Sequence, residues 1–183
     1  MAFWSLSGPF ALALFAQVGL LVYLVAILES TIGRASAGLA ISIVSITAVV
    51  GRLGLGFVVD RLNLRWASAL SMASQAVALL LIGQSDGQFV LLSACALFGI
   101  SVGNVITLPA LIVQEEFDTS TFSLIVGLST DIGQVTYAFG PGLVGLLRDT
   151  SGSYSGPLSL CAGLLTVAAA IVLMPPMAAR KPN

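Results

Sequence analysis

The sequence predicts an all-α membrane protein in which six transmembrane helices form two inverted three-helix repeats. The first observation behind this prediction is composition: 57% of the 183 residues are hydrophobic and 8% are charged, whereas water-soluble domains carry about a quarter charged residues. The second is that residues 1–28 and 150–179 contain no charge, and each stretch exceeds the roughly 20 apolar residues that cross a bilayer. The third is an internal repeat at an offset of 89 residues.

Hydrophobic runs define the first three spans, which end at charged or polar loops. The spans cover residues 8–28, 36–59 and 66–83, and the loops that follow them cover residues 29–34, 60–65 and 84–88. Each run is long enough to cross a bilayer as a helix. Together these spans form the first predicted repeat, residues 1–88.

The other three spans are defined in the same way and form the second repeat, residues 89–183. They cover residues 89–113, 122–147 and 157–177, with loops at residues 114–121 and 148–156. No loop is long enough to hold a soluble domain. Residues 1–183 are therefore predicted to be a single six-helix transmembrane domain.

Basic residues predict the orientation of the chain in the membrane. An even number of spans places both ends on one side, while Arg34 and Arg148 lie on the other. The side shared by the termini carries Arg61, Arg65, Arg180 and Lys181. Because basic residues favour cytoplasmic loops, both termini are predicted to be cytoplasmic, with a bacterial inner membrane as the expected location.

Residues 38–60 and 127–149 align without a gap and share seven identities in 23 positions. The offset corresponds to three spans, and an odd number of crossings reverses direction, so the second and fifth spans are predicted to run antiparallel. Two such units form an inverted repeat of the kind found in secondary transporters. A chance match between glycine-rich helices is the alternative interpretation.

Two motifs within the repeat resemble those of a known family. The first consists of Gly51, Arg52, Gly56, Asp60, Arg61 and Arg65, with the spacing of the loop signature of the major facilitator superfamily. The second copy, which resembles the segment after the eleventh helix of many such carriers, consists of Gly140, Pro141, Gly145 and Asp149. The resemblance covers essentially the whole chain and implies the C-terminal six helices of a twelve-helix carrier. One departure is Asn63, where the family pattern usually has glycine.

The cluster around the first motif has a physical role that can be predicted from residue type. Gly51 and Gly56 would let neighbouring helices approach closely. Asp60 would face the positive N-terminal end of a neighbouring helix, and Arg61 and Arg65 would add salt bridges or anionic-lipid contacts. The resemblance implies that this cluster is a conformational latch that stabilises one state of alternating access. An ordinary charged loop that fixes topology is the alternative.

Arg52 is the first candidate substrate ligand, because it lies eight residues before Asp60, about 12 Å deeper along a helix. Helical periodicity places it on a stripe of small and hydroxyl-bearing residues that consists of Gly38, Ser42, Ser45, Val49, Arg52, Gly56 and Asp60. In the carriers of monocarboxylates and oxalate that this chain resembles, an arginine in the equivalent helix meets the substrate carboxylate. Snorkelling of Arg52 to the interface is the alternative.

Asp131 is the second candidate, because a charge near the middle of a membrane costs about 2.5 to 3.5 kcal/mol. It lies on a predicted polar face of the fifth span that includes Thr130, Gln134 and Tyr137. We expect Asp131 to carry a coupling proton or to pair with Arg52 when the site is empty; a protonated or hydrogen-bonded structural acid is the alternative. Gln134 and, in the fourth span, Asn104 are further candidates for the substrate site, whereas Gln17 and Gln75 are predicted to pack between helices.

Composition also excludes several function classes. The chain has no histidine, which removes serine–histidine catalysis and histidine-rich metal sites, and no cofactor or metal is expected. A net charge of −1 without a basic patch argues against nucleic acid as a partner.

The predicted function is transmembrane transport of a small solute, with an organic anion and a coupling proton as the candidate substrates. The expected partners are the bilayer and either an N-terminal six-helix half or a second copy. The alternative is a truncated or partner-dependent half-transporter without activity of its own.

Overall fold

The structure is a computed structural model that describes residues 2–174, and in this range it consists of helices joined by short turns. The helices are α1 (Ala2–Val58), α2 (Leu64–Gln84), α3 (Gln88–Glu116), α4 (Phe122–Ala138), α5 (Gly140–Ser151) and α6 (Ser155–Val172). A 3-10 turn, Val59–Arg61, follows α1. Arg180 and Lys181, which contributed to the predicted orientation, lie outside the described residues.

Four of these helices, α1, α2, α3 and α6, are long and apolar enough to cross a membrane. The described residues are all-helical, as predicted, and the apolar helices support an integral membrane protein, whereas six spans in two inverted repeats stay a prediction. The helix boundaries differ from the predicted spans at two places, because the first two spans lie in one helical run and the fifth is divided into α4 and α5.

Gly33 divides α1 into two segments, residues 2–32 and 34–58, which correspond to the first two predicted spans. Its backbone has φ 79° and ψ 163°, a conformation that is essentially confined to glycine. The helical hydrogen-bonding pattern cannot continue through such a residue. Gly33 is therefore the kink between the two helical segments of α1.

The break between α4 and α5 lies at Phe139. The Phe139 backbone nitrogen donates to the carbonyl oxygen of Thr136 at 3.3 Å, which is a tighter turn than the α-helical pattern. Pro141 occupies the first turn of α5, and proline has no backbone N–H to bond the preceding turn. The interruption thus has a local cause in the sequence.

Glycine residues bring the second segment of α1 directly against α3. A Cβ atom at Gly99 would collide with the carbonyl oxygen of Val44, and one at Gly103 would collide with that of Ala48. Residue numbers increase in the same direction along the two helices, so they run parallel. Gly51 meets the backbone of α3 equally closely from the other side of the crossing. Small residues at such crossings let helices pack without a hydrophobic driving force in lipid.

A second glycine-based contact joins the first segment of α1 to α5. A Cβ atom at Gly140 would lie 2.5 Å from the carbonyl oxygen of Phe15, and one at Gly19 would lie 3.0 Å from Val144. These helices also run parallel. Large apolar side chains fill the space between the helices, and the fully buried ones include Leu20, Leu24, Leu79, Phe98, Leu108 and Leu165.

Candidate substrate site

The stripe that the sequence predicted around Arg52 is exposed along its whole length. All seven of its residues, from Gly38 to Asp60, are exposed in this structure. The Arg52 guanidinium forms no ion pair or hydrogen bond with the described residues. The Cβ atom of Arg52 lies beside the crossing of α1 with α3. A Cβ atom added at Gly103 would be 3.3 Å from it. Within the described part of the chain, Arg52 is thus an unpaired cation on the surface of a membrane helix.

Asp131 is also exposed, on α4, and has no partner among the described residues. The ion pairs of the described structure are Arg65–Glu116 and Arg148–Asp149. Arg52 and Asp131 are therefore not paired with each other. Each would need water, a ligand or another helix to compensate its charge within a membrane.

The exposed residues of α4 do not all lie on its polar face. Its polar face is exposed at Thr130, Asp131 and Gln134, but Leu128 and Val135 on the apolar face are exposed as well. The buried residues of α4 are instead Ser129 and Gly133. A Cβ atom at Gly133 would lie 2.9 Å from Leu14, so α4 packs through a narrow edge of small residues.

A cleft of about 400 Å³ lies between the first segment of α1, α3 and α4. Its walls are mainly apolar, and Pro109 and Val105 of α3 form one side. Its polar lining residues are Gln17, Ser129, Thr130, Gln134 and Tyr137. The cleft has the size and the composition of a small-molecule site, and it includes Gln134 among the predicted site residues.

Asn104 lies elsewhere, in a groove of about 570 Å³ that also includes Gly51, Asn63 and Trp66. Its Oδ1 is buried and has no hydrogen-bond partner in the described structure. The structure therefore separates Asn104 from Gln134, although both are candidate ligands. The two cavities lie on different parts of α3.

Arg65 is the most extensively bonded charged residue of the predicted latch. Its Nε and Nη2 donate to Oε1 and Oε2 of Glu116 at 2.6 and 2.7 Å. Its Nη1 donates to the carbonyl oxygens of Val172 and Met174 at 2.9 and 3.0 Å. This guanidinium therefore joins the start of α2 to the ends of α3 and α6, with paired geometry that is favourable for arginine and carboxylate.

The remaining latch residues have different surroundings. Gly51 is buried against α3, whereas open space surrounds Gly56. Asp60 and Arg61 are exposed in the 3-10 turn. The N-terminus of α2 is capped by Asn63, whose Oδ1 accepts from the backbone nitrogens of Arg65 and Trp66 at 3.1 and 3.2 Å. The departure from the family pattern at position 63 therefore supplies a helix cap.

The second copy of the motif packs against the first segment of α1. Besides the close contact of Gly140, the carbonyl oxygen of Pro141 accepts from the Tyr23 hydroxyl at 3.1 Å, and Gly145 borders the same hydroxyl. Asp149 accepts from Nη1 of Arg148 at 3.0 Å. This hydrogen bond is the main cause of a raised pKa for the exposed Arg148 guanidinium.

Two polar features of the structure were not predicted as functional from the sequence. Glu116 pairs with Arg65, although the two are 51 positions apart. Gln17 and Gln75 are hydrogen-bonded to each other in the core, and Gln17 also lines the cleft. Gln17 and Gln75 could be singled out only as polar residues within apolar runs, and Arg65 and Glu116 only as charged residues of two predicted loops.

Comparison with known proteins gives a distant relationship. No family model matches the sequence. Monocarboxylate transporter 12 of rat and that of mouse are each 28% identical to the chain in an alignment of 159 residues that covers 84% of the chain. The similarity is to membrane transporters. The chain spans about a third (32%) of the length of these relatives.

Proposed function

We propose that the chain forms the C-terminal half of a secondary carrier that moves a small organic anion across a membrane by alternating access. The observation that carries this proposal is the unpaired guanidinium of Arg52 on a fully exposed stripe of polar and small residues. A cation on a membrane helix is expensive in contact with hydrocarbon. The stripe therefore faces water, an anionic ligand or a partner half.

The arrangement of helices supports an inverted repeat of six spans. The glycine pair that matches in the repeat, Gly51 and Gly140, lies at a close helix crossing in both copies. Gly51 joins the second segment of α1 to α3, and Gly140 joins α5 to the first segment. If the two repeats are related by a two-fold axis, these contacts are equivalent, since spans one and four exchange places and so do spans two and five.

The partner proposal follows from the same exposed stripe. An N-terminal six-helix half, or a second copy, would cover the stripe and enclose a central site that includes Arg52, Asp131 and the cleft with Gln134. A half without its partner would leave Arg52 uncompensated. We accordingly expect transport activity from the assembled carrier and not from this domain alone, with both termini in the cytoplasm. The bacterial source stays a prediction, since the relatives named above are mammalian.

The proposal is tested by uptake of monocarboxylates of different sizes into proteoliposomes that contain the natural full-length protein. Arg52→Ala should lower uptake at least tenfold, because a lost charge-assisted hydrogen bond costs about 1.5 to 3 kcal/mol, and Arg52→Lys should restore part of it. Arg34→Ala is the matched control, since Arg34 is exposed in the loop between the first two predicted spans and lies outside both the stripe and the latch. Undiminished uptake by Arg52→Ala would exclude the ligand role.

A further inference from the structure

A buried pair of glutamine side chains lies behind the cleft. Gln75 of α2 is 0% exposed and Gln17 of α1 is 3% exposed. The Gln75 Nε2 donates to the Gln17 Oε1 at 3.2 Å. The pair therefore links a residue of the cleft wall to a helix that does not line the cleft.

The free end of this pair is the amide nitrogen of Gln17, a residue that lines the cleft. The polar side-chain atoms of the described residues that are both buried and unpartnered are Ser7 Oγ, Gln75 Oε1 and Asn104 Oδ1. The Gln17 Nε2 is not one of them, although it makes no hydrogen bond with the described residues. Since Gln17 lines the cleft, this nitrogen offers its hydrogens to whatever occupies that space.

The pair of Gln17 and Gln75 is not a favourable arrangement for the stability of the fold. Gln75 Oε1 is buried without a partner among the described residues, and an unpaired buried amide oxygen destabilises a fold by more than one ordinary hydrogen bond contributes. An apolar side chain of similar volume would avoid this cost. What the pair provides is orientation, because the bond from Gln75 holds the Gln17 oxygen inward and leaves the nitrogen towards the cleft.

The cleft selects for an uncharged group. None of the described residues that line it is charged, and its polar members Ser129, Thr130, Gln134 and Tyr137 are neutral hydrogen-bonding groups. Its volume of about 400 Å³ holds on the order of ten water-sized groups at roughly 30 Å³ each. A two- or three-carbon acid would leave most of this space unfilled.

We propose that Gln17, held by Gln75, is a specificity-determining residue that donates a hydrogen bond to a hydroxyl or carbonyl oxygen on the uncharged body of the substrate. The substrate class is then a monocarboxylate with a branched or aromatic body that bears such an oxygen. The carboxylate part of this assignment rests on the proposed function, in which Arg52 meets the anion. The role of Gln17 and the cleft does not depend on Arg52.

The test measures ligand affinity for the natural full-length protein in lipid nanodiscs. One matched pair is phenyllactate and phenylpropionate, which differ by one hydroxyl, and the second pair is the corresponding neutral amides. We expect the hydroxyl-bearing member of each pair to bind about tenfold more tightly, because a polar site left unpaired loses about one hydrogen bond. Gln17→Leu should abolish this preference and leave the affinity for phenylpropionate within about twofold.

Two further variants separate positioning from folding. Gln75→Leu should reduce the hydroxyl preference without lowering the thermal unfolding midpoint, because it removes the unpaired oxygen and releases Gln17. Gln114→Leu, at an exposed glutamine near the end of α3, should leave the preference unchanged. A preference that survives Gln17→Leu would overturn the proposal, as would equal weakening of both members of a pair.

The design distinguishes this proposal from the proposed function. If acids bind no better than amides but the hydroxyl preference still depends on Gln17, the anion site is wrong and the role of Gln17 stands. If acids bind better than amides and Gln17→Leu changes nothing, the anion site stands and the role of Gln17 is wrong. Failure of every compound to bind would overturn the assignment of the cleft as a substrate site.

Discussion

At the scale of single residues, Asp131 is a charged side chain that costs free energy in a membrane unless its charge is compensated. It is exposed on α4, carries no partner among the described residues and lies on the same polar face as Gln134. A charge in such a place is expensive in contact with hydrocarbon, so we expect Asp131 to face water or a partner half.

If Asp131 is the coupling site that the sequence predicts, Asp131→Asn should remove the pH dependence of uptake, because an amide of the same shape cannot exchange a proton. The measurement is initial uptake by proteoliposomes over a series of external pH values. Asp118→Asn, at an exposed acid in the loop after α3, is the control and should keep the wild-type profile. An unchanged profile in Asp131→Asn would identify Asp131 as a structural acid.

Gly33 makes the second prediction at this scale. Its φ of 79° and ψ of 163° lie in a region that costs other residues about 1 to 3 kcal/mol. Gly33→Ala should therefore lower the free energy of unfolding by that amount in detergent. Gly38→Ala, five residues later in the helix with open space around it, should stabilise the helix by up to about 1 kcal/mol. Equal effects of the two substitutions would contradict this account.

At the scale of helices, the sequence predicted where apolar segments occur but not how they are interrupted or which edges they bury. Gly33 is one of several glycines in the sequence, yet it divides α1, and the break of the fifth span at Phe139 was not predicted although Pro141 is a local cause of it. The two faces of α4 were visible from periodicity, but the helix packs through Ser129 and Gly133 between them. Helical periodicity identifies a polar stripe without specifying which neighbours are near it.

Contacts between distant helices were the least predictable feature of the site. The pairs Arg65–Glu116 and Gln17–Gln75 join residues 51 and 58 positions apart, and only the three-dimensional arrangement of helices brings them together. The exposure of the Arg52 stripe was consistent with its composition of small and polar residues. The cleft was not foreseen, because most of its lining is ordinary apolar side chains.

The two glycines of the first motif should respond differently to substitution. A Cβ at Gly51 would collide with the backbone of α3, whereas Gly56 has open space. Gly51→Ala should lower the free energy of unfolding by about 1 to 3 kcal/mol, and Gly56→Ala should not. The comparison is made by thermal unfolding of both variants in the same detergent. Equal loss of stability would mean that Gly56 is also covered, by a partner in the assembled carrier.

The Arg65 cluster is the clearest stabilising contact between helix ends. With side chains 11% and 19% exposed, Arg65 and Glu116 are partly shielded from water, and breaking a paired charge of this kind costs about 2 kcal/mol. Glu116→Ala should show that loss in chemical unfolding, while Glu115→Ala, at an exposed neighbour, should be nearly neutral. A double-mutant cycle with Arg65→Ala should give a coupling energy of similar size. Additive effects would rule out the pair as a stabilising contact.

At the scale of the whole molecule, the two ion pairs of the described residues lie at opposite ends of the helices. Arg65, Glu116 and the end of α6 meet at one end, while Arg148, Asp149 and Tyr154 meet at the other, where the Arg148 guanidinium lies 5.5 Å from the Tyr154 ring centre. Such clusters at the membrane interfaces are compatible with helices that cross completely. The stripe with Arg52 lies between them, which is why we assign it to an internal surface of the assembled carrier.

The proposed orientation leads to a prediction about access from the two sides of the membrane. If six spans alternate in direction, the loops at residues 29–34 and 148–156 face outward and the loop at 114–121 faces inward. Ser30→Cys and Ser153→Cys, both at exposed positions, should react with a membrane-impermeant thiol reagent in intact cells, and Ser120→Cys only after lysis. Cys95 and Cys161 are buried, so the unaltered protein serves as the unlabelled control. Labelling of Ser30→Cys without Ser153→Cys would mean that the two loops lie on opposite sides, and an inverted repeat of three spans each could not then be correct.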